Sequence, residues 1–480
     1  MMQRLTSLVL CAAAAALAAC AQGREAGRSL AEARAAANVP QPPAVNVAWL
    51  DSLVRGYVAE KHLVGLSVGV AQDDSIIFAR GYGVASLEDH SPVTPWTKFA
   101  IGSVTKQFTC AAALLLQETG RISMDDPVAK YFPKLTQAKE ITLLDLGNHV
   151  SGYRDYYPLD FVDREMAQQT TLDSVIAEYA TRPLDFQPGT RWSYSNTNFL
   201  ILGRVVEKVS GVPFGTFLGQ HILGPLSLRA TVYDPAPGGP AMASGYTSFA
   251  LGAPAFTAPE ATGWLGMAGG LWSTPSDLLT WDLALVDGKV LDHDSYRTLT
   301  TPRRLLDGRS TGYGCGEGVS DRGEAVVLTH GGAVSGFTAQ NTVVPATRSA
   351  IVLLANADFA SLGELNRAIL AKLMPHVNVP VIHGAPAPVT AAAFLTQLQR
   401  GQVDRAALGE DFSAFLTPER LAAAKKSLTG RISEVQVTGT AERGGMEVAY
   451  VGFKTGARAA EALMYRTPDG RIQEFLIYQP

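Results

Sequence analysis

Residues 108–116 read FTCAAALLL, a stretch that is apolar nearly all the way round a helix. The helical pattern runs over 104–119 and stops at Gly120, a common terminator. A helix with one apolar stripe can lie on a surface, but one without a polar face must be covered on every side. The chain therefore has to build layers around this segment. Its 480 residues, 47% hydrophobic and 18% charged, allow a large core and two or three domains. A formal charge of −4 without a long basic stretch argues against a nucleic-acid partner.

The covering layers can be read on both sides of the helix. From Leu66, LSVGVAQ, the turn Asp73-Asp74 and SIIFARGYGVA spell a hairpin. Helix-like segments and loops dominate from about 125 to 299, among them 197–209 and 275–286. After Tyr313 strand character returns in EAVVLTH, GFTAQNTVVP and SAIVLLAN. Strands at both ends with a helical insert between them predict one α/β domain, its sheet assembled from distant segments.

The flanks have other roles. Residues 1–19 read as a secretory leader, because the apolar run from Leu8 to Leu17 is too short to span a bilayer. Leu17-Ala18-Ala19-Cys20 resembles a bacterial lipobox with Cys20 lipidated; ordinary cleavage near Ala19 is the alternative. Residues 20–46, rich in Ala, Arg and Pro, read as a tether. The expectation is an exported envelope protein, an outer-membrane lipoprotein facing the periplasm. A main domain is expected over 47–375, a proline-rich linker over 376–388 and a small α+β domain over 389–480. In the last, helices are expected near 391–399 and 418–428, and the closing hairpin turns at Pro468-Asp469-Gly470.

Of four cysteines, Cys11 leaves with the leader and Cys20 is the lipid candidate. Cys110 and Cys315 read as two buried free thiols, with pairing in an oxidising periplasm as the alternative. The eight histidines form no H-E-x-x-H or similar ligand cluster, so no metal and no cofactor is expected.

Chemistry is concentrated at Ser103-Val104-Thr105-Lys106, an S-x-x-K sequence opening the apolar helix. Three residues are one helical turn, so serine oxygen and lysine amine face the same way. A serine hydroxyl needs a base, and burial can bring a lysine close enough to neutrality to serve. The helix start also offers free N–H groups for an oxyanion. Two further sequences occur once each: Tyr194-Ser195-Asn196, before a helix pattern, and His330-Gly331-Gly332, ending a strand pattern.

The order S-x-x-K, Y-x-N, H-x-G resembles the penicillin-recognising serine hydrolases: class C β-lactamases, DD-carboxypeptidases, D-aminopeptidases and related esterases. The stretches GSVTKQFTCAAALLLQETGRISMDDPV, ITLLDLGNHVSGYRDY, FQPGTRWSYSNTNFLILGRVVEKVSG, GGLWSTPSDLLTW and TGYGCG support it, over roughly 51–358. The resemblance implies a β-lactamase/transpeptidase-like α/β fold: a mixed, largely antiparallel sheet flanked by helices, with an all-helical region carrying Tyr194. It implies that Ser103 forms an acyl-enzyme. Lys106 and Tyr194 would share its proton, with Tyr194, as a phenolate beside the lysine charge, passing it to the leaving group. Asn196 would fix the lysine and the substrate amide, and the N–H groups of Ser103 and Ala333 would hold the oxyanion. Gly331 and Gly332 suit a strand edge that the substrate backbone approaches closely.

His330 stands where many β-lactamases carry a lysine. Histidine, with a reference pKa near 6.5, is a weaker carboxylate anchor at neutral pH and would instead relay a proton or position a neutral group. Lys454-Thr455-Gly456 is a literal K-T-G, but it lies 260 residues beyond Tyr194, in the appended domain. Gly65-Leu66-Ser67-Val68-Gly69 spells G-x-S-x-G, yet it sits in a strand leading to a hairpin rather than to a helix. The expected substrates are small molecules or peptides: D-alanyl peptides, small esters or β-lactams. The rival expectation is a catalytically silent envelope binding protein.

Overall fold

The computed structural model describes residues 42–157, 164–236, 238–239, 241–248, 252–322, 325–374, 382–443 and 446–478. The leader, Cys20 and most of the expected tether lie outside them. Two compact units result, one reaching Ser320 and resuming over Ala325–Met374, the other formed by the residues after Met374 together with the short segment from Asp321.

In the first unit, helix α1 (Val47–Glu60) leads into strands β1 (Gly65–Gln72) and β2 (Ser75–Gly83). Asp73 and Asp74 both take left-handed conformations (φ 49° and 64°), which short acidic residues tolerate and tight hairpins require. The apolar helix α2 (Thr105–Glu118) follows, then α3 (Asn196–Ser210) and α4 (Pro275–Val286). Strands β3 (Gly318–Asp321), β4 (Val326–Val334), β5 (Phe337–Val344) and β6 (Ser349–Ala355) precede α5 (Gly363–Leu373). The sheet order is β2-β1-β6-β5-β4-β3, and β1 pairs antiparallel with β6, so the two ends of the domain share one sheet.

Every residue of β6 is buried because both sheet faces are covered. Ala350, Val352 and Leu354 join the core around α2, while Ile351, Leu353 and Ala355 pack with α1 and α5. Ten consecutive residues of α2, Thr105 to Leu114, are buried, as a helix without a polar face requires. Phe108 stacks on Trp281 of α4 with ring centroids 4.0 Å apart. Gln72 accepts from Val45 N at 2.8 Å, fixing the last residues before α1 on the sheet.

The free-thiol expectation is corrected: Cys110 and Cys315 are disulfide-bonded, 205 residues apart in sequence. Nothing in their spacing signals this; the packing of α2 beneath the 314–316 turn brings them together. Gly147 seals the bond, since a Cβ there would stand 2.4 Å from Cys315 Sγ.

The second unit packs helices α6 (Ala387–Arg400) and α7 (Pro418–Ser427) with strands β7 (Ile432–Arg443), β8 (Met446–Thr455), β9 (Arg458–Arg466) and β10 (Ile472–Tyr478). The strands form an antiparallel sheet in sequence order. Pro388, expected in the linker, instead sits in the first turn of α6, where a missing N–H does no harm.

Candidate active site

The nucleophile position is made by a single 3-10 turn, Gly102–Val104, that runs into α2. Gly102 has φ +49° and lies so close to β4 that a Cβ would stand 2.9 Å from Ala333 N. The backbones of Ser103 and Ala333 are therefore neighbours, as an oxyanion pair requires. Gly332 is needed for the same approach: its Cβ would meet the Ile101 carbonyl at 2.0 Å. At Gly331 the nearest atom would be 3.8 Å away, so that position faces open cleft.

Lys106 is fully buried and reaches three oxygens: Ser103 Oγ at 2.9 Å, Asn196 Oδ1 at 2.7 Å and the Ala268 carbonyl at 2.7 Å. Burial pulls its pKa down to about 7, against the opposing charge of Asp155. A neutral amine has two N–H donors and one lone pair. Asn196 Oδ1 and Ala268 O can only accept, so in that form the lone pair is left for the Ser103 proton.

Tyr194 lies alongside, its ring centre 4.9 Å from Lys106 Nζ. Its hydroxyl is buried beside Ser103, close enough for the serine to favour ionisation, yet in no hydrogen bond of good geometry. Burial outweighs that influence and raises the phenol well above its ordinary value. The resting phenolate expected from sequence is thus corrected: burial holds the Tyr194 hydroxyl on the protonated side.

Three residues that carry no role in the sequence reading complete the site. Asp155 accepts from Asn196 N at 2.8 Å and from Asn196 Nδ2 at 3.1 and 3.2 Å. Burial raises its pKa despite these bonds and the Lys106 charge. His149 Nδ1 accepts from Ser195 N at 3.1 Å, and the ring lies 4.3 Å from that of Tyr194. Burial keeps this imidazole neutral. Tyr313 Oη is 2.7 Å from His330 Nε2, while His330 Nδ1 is 2.6 Å from Gly331 O. Burial, then the Lys106 charge, lower His330 to about 3. With both ring nitrogens engaged, the proton relay expected of His330 finds no free atom. All three residues lie in stretches already marked by motif context, HVSGYRDY and TGYGCG, but no pattern separates a buried Asp, His or Tyr with a role from one without.

The decoys separate as their settings suggest. Ser67 is a buried residue of β1, opposite Leu354 and Gly81. Lys454 belongs to the second unit and pairs with Glu434 at 2.8 Å on its surface.

Ser103, Asp155, Tyr194, Asn196 and His330–Ala333 line one cleft of about 430 Å³, with Tyr156, Tyr157 and Leu265 on its apolar side. Glu260 closes in near Tyr157 and accepts from Ser335 N at 3.0 Å, at the end of β4. Among the described residues no group of three His, Cys, Asp or Glu could hold a metal ion.

Comparison with known proteins bears on this cleft. The β-lactamase family profile matches residues 50–373. A D-aminopeptidase of Cereibacter sphaeroides is 30% identical over 336 residues, covering 68% of this chain and 64% of that protein. The chain thus spans less than two thirds of that relative's length. Among solved structures, the D-stereospecific amidohydrolase from Streptomyces sp. is 26% identical with TM-score 0.57, covering 68% of this chain and 98% of that one. A penicillin-binding protein homologue from Pyrococcus abyssi, 20% identical, shares the fold with TM-score 0.61 over 90% of this chain and 100% of that one.

Proposed function

This chain belongs to the β-lactamase family of serine hydrolases, and on that footing we propose that Ser103 carries an acyl-enzyme during hydrolysis of small D-amino-acid amides or peptides. The observation that carries the proposal is the Lys106 triad of contacts, which leaves the lysine lone pair to the serine proton. Ser103 Oγ attacks the carbonyl as its proton passes to Lys106. The developing oxyanion is held by Ser103 N–H and Ala333 N–H. The Tyr194 hydroxyl protonates the leaving nitrogen and regains a proton from Lys106, whose charge stabilises the transient phenolate. Water then cleaves the ester by the reverse sequence.

The carboxylate of Asp155 in the cleft, with Glu260 close behind Tyr157, supports a substrate that carries an amino group. The relatives named D-aminopeptidase and D-stereospecific amidohydrolase support the same choice. Esters and β-lactams would be secondary substrates. We also propose export to the envelope with an anchor at Cys20; the Cys110–Cys315 disulfide supports an oxidising compartment.

The test is intact-mass labelling of the folded protein with a fluorophosphonate, with Ser103→Ala as control, followed by rates on D- and L-alaninamide. One adduct, lost in the variant, together with preference for the D-amide, is the expected result. A folded protein that takes no adduct would be a binding protein.

A further inference from the structure

His330 offers its surroundings no free ring nitrogen. The Gly331 carbonyl can only accept, so His330 Nδ1, 2.6 Å away, carries the ring proton. Nε2 is then a lone pair, and the Tyr313 hydroxyl at 2.7 Å is its donor. Tyr313 is held in that position from several sides. Its ring meets His330 edge-on (77°) and lies 5.8 Å from Trp192 and 4.9 Å from His149. Two residues further on, Cys315 is bonded to Cys110, one turn beyond Lys106 on α2.

We propose that Tyr313 is a positioning residue that sets specificity: its hydroxyl fixes His330 as the neutral Nδ1–H tautomer, so this corner of the cleft offers neither a positive charge nor a transferable proton. The proposal rests on the hydrolase reading for its substrate consequences, though not for the tautomer. Among the groups facing His330, the Gly331 carbonyl favours the charged ring, and burial and the Lys106 charge outweigh it. Lys106 contributes positive charge, His149 is a buried neutral imidazole, Tyr194 is a protonated phenol 6.2 Å away between ring centres, and Tyr313 donates its own proton. A substrate ending in a carboxylate beyond the scissile bond would find no cation here. One ending in a primary amide would lose nothing. The site is therefore built for substrates that are neutral on the leaving-group side.

Two measurements test this. In ¹⁵N-histidine-labelled protein, the His330 resonances, assigned by their loss in His330→Gln, should show the Nδ1–H tautomer and no titration between about pH 5 and 8. In Tyr313→Phe, which keeps the ring and loses the donor, Nε2 is left without its partner and the ring should exchange tautomers, with Nε2–H becoming populated. For kinetics, D-alanyl-D-alaninamide should be preferred over D-alanyl-D-alanine mainly through KM. That preference should narrow by about 5–10-fold in Tyr313→Phe, the size of one neutral hydrogen bond, because an Nε2–H tautomer can donate to a substrate carboxylate.

A wild-type His330 that titrates in this range, or carries its proton on Nε2, overturns the proposal. So does a Tyr313→Phe protein with unchanged resonances and unchanged preference. Failure of the hydrolase reading would appear separately, as absent labelling of Ser103 with the histidine spectrum intact.

Discussion

Asn196 presents its carbonyl oxygen, not its amide nitrogen, to Lys106 Nζ at 2.7 Å. The choice is made by Asp155, whose carboxylate takes the Asn196 NH₂ group and leaves the oxygen pointing inward. An acceptor so placed, with the Ala268 carbonyl as a second, orients the amine that would receive the serine proton in the proposed mechanism.

Lys106 should dominate the pH dependence. With its pKa near 7, kcat/KM should rise with pH through about that value as the amine loses its proton. Lys106→Met should lower the rate by about 10²–10⁴-fold and abolish this limb. The folded pKa lies below the unfolded one, so the unfolded chain binds more protons between about pH 7 and 10.4. The penalty of burying the lysine is thus fully present below pH 7 and relieved as pH rises through that window. Denaturant titrations should show wild type gaining stability relative to Lys106→Met between pH 7 and 10; a flat difference would contradict the burial argument.

Asp155→Asn tests the orienting role. Without the carboxylate the Asn196 amide is free to turn, and the negative charge that raises the Lys106 pKa is lost. The pH limb should move to lower pH, kcat should fall by about 10-fold or more, and KM for amino-bearing amides should rise. An effect on KM alone would assign Asp155 to substrate binding without orientation.

The two glycines of the third motif should behave differently. Gly332→Ala puts a methyl 2.0 Å from the Ile101 carbonyl and must displace either β4 or the nucleophile turn. Labelling of Ser103 should slow by about 10²-fold, with the protein destabilised by about 1–3 kcal/mol. Gly331→Ala meets nothing closer than 3.8 Å, so stability should hold within about 0.5 kcal/mol and any change should fall on KM.

Cys315→Ser should expose one free thiol at Cys110 to quantitation in denaturant. Losing a cross-link over 205 residues should lower unfolding stability by about 2–5 kcal/mol. Neither cysteine lines the cleft, so catalytic pH dependence should survive if the domain remains folded.

Much of the site was legible in the chain because its signals are local. Ser103 and Lys106 are one helical turn apart, and the all-round apolar run behind them could only be a buried helix. Alternation and punctuation placed the strands: 275–286 is a helix from end to end, and the Asp-Asp hairpin closes as its residues demand. The order of three motifs identified the family.

The rest depended on distance in three dimensions. Asp155 matters because Asn196, 41 residues later, folds against it; Tyr313 matters because β4 returns His330 to its hydroxyl. Cys110 and Cys315 carry no pairing signal until α2 packs under the 314–316 turn. Protonation was beyond the sequence for the same reason. A lysine at about 7, a phenol held protonated and a neutral histidine are properties of burial and of neighbouring charges, which exist only once the chain has closed around them. The sequence by itself determined which groups could react; the tertiary structure decided which of them holds the proton.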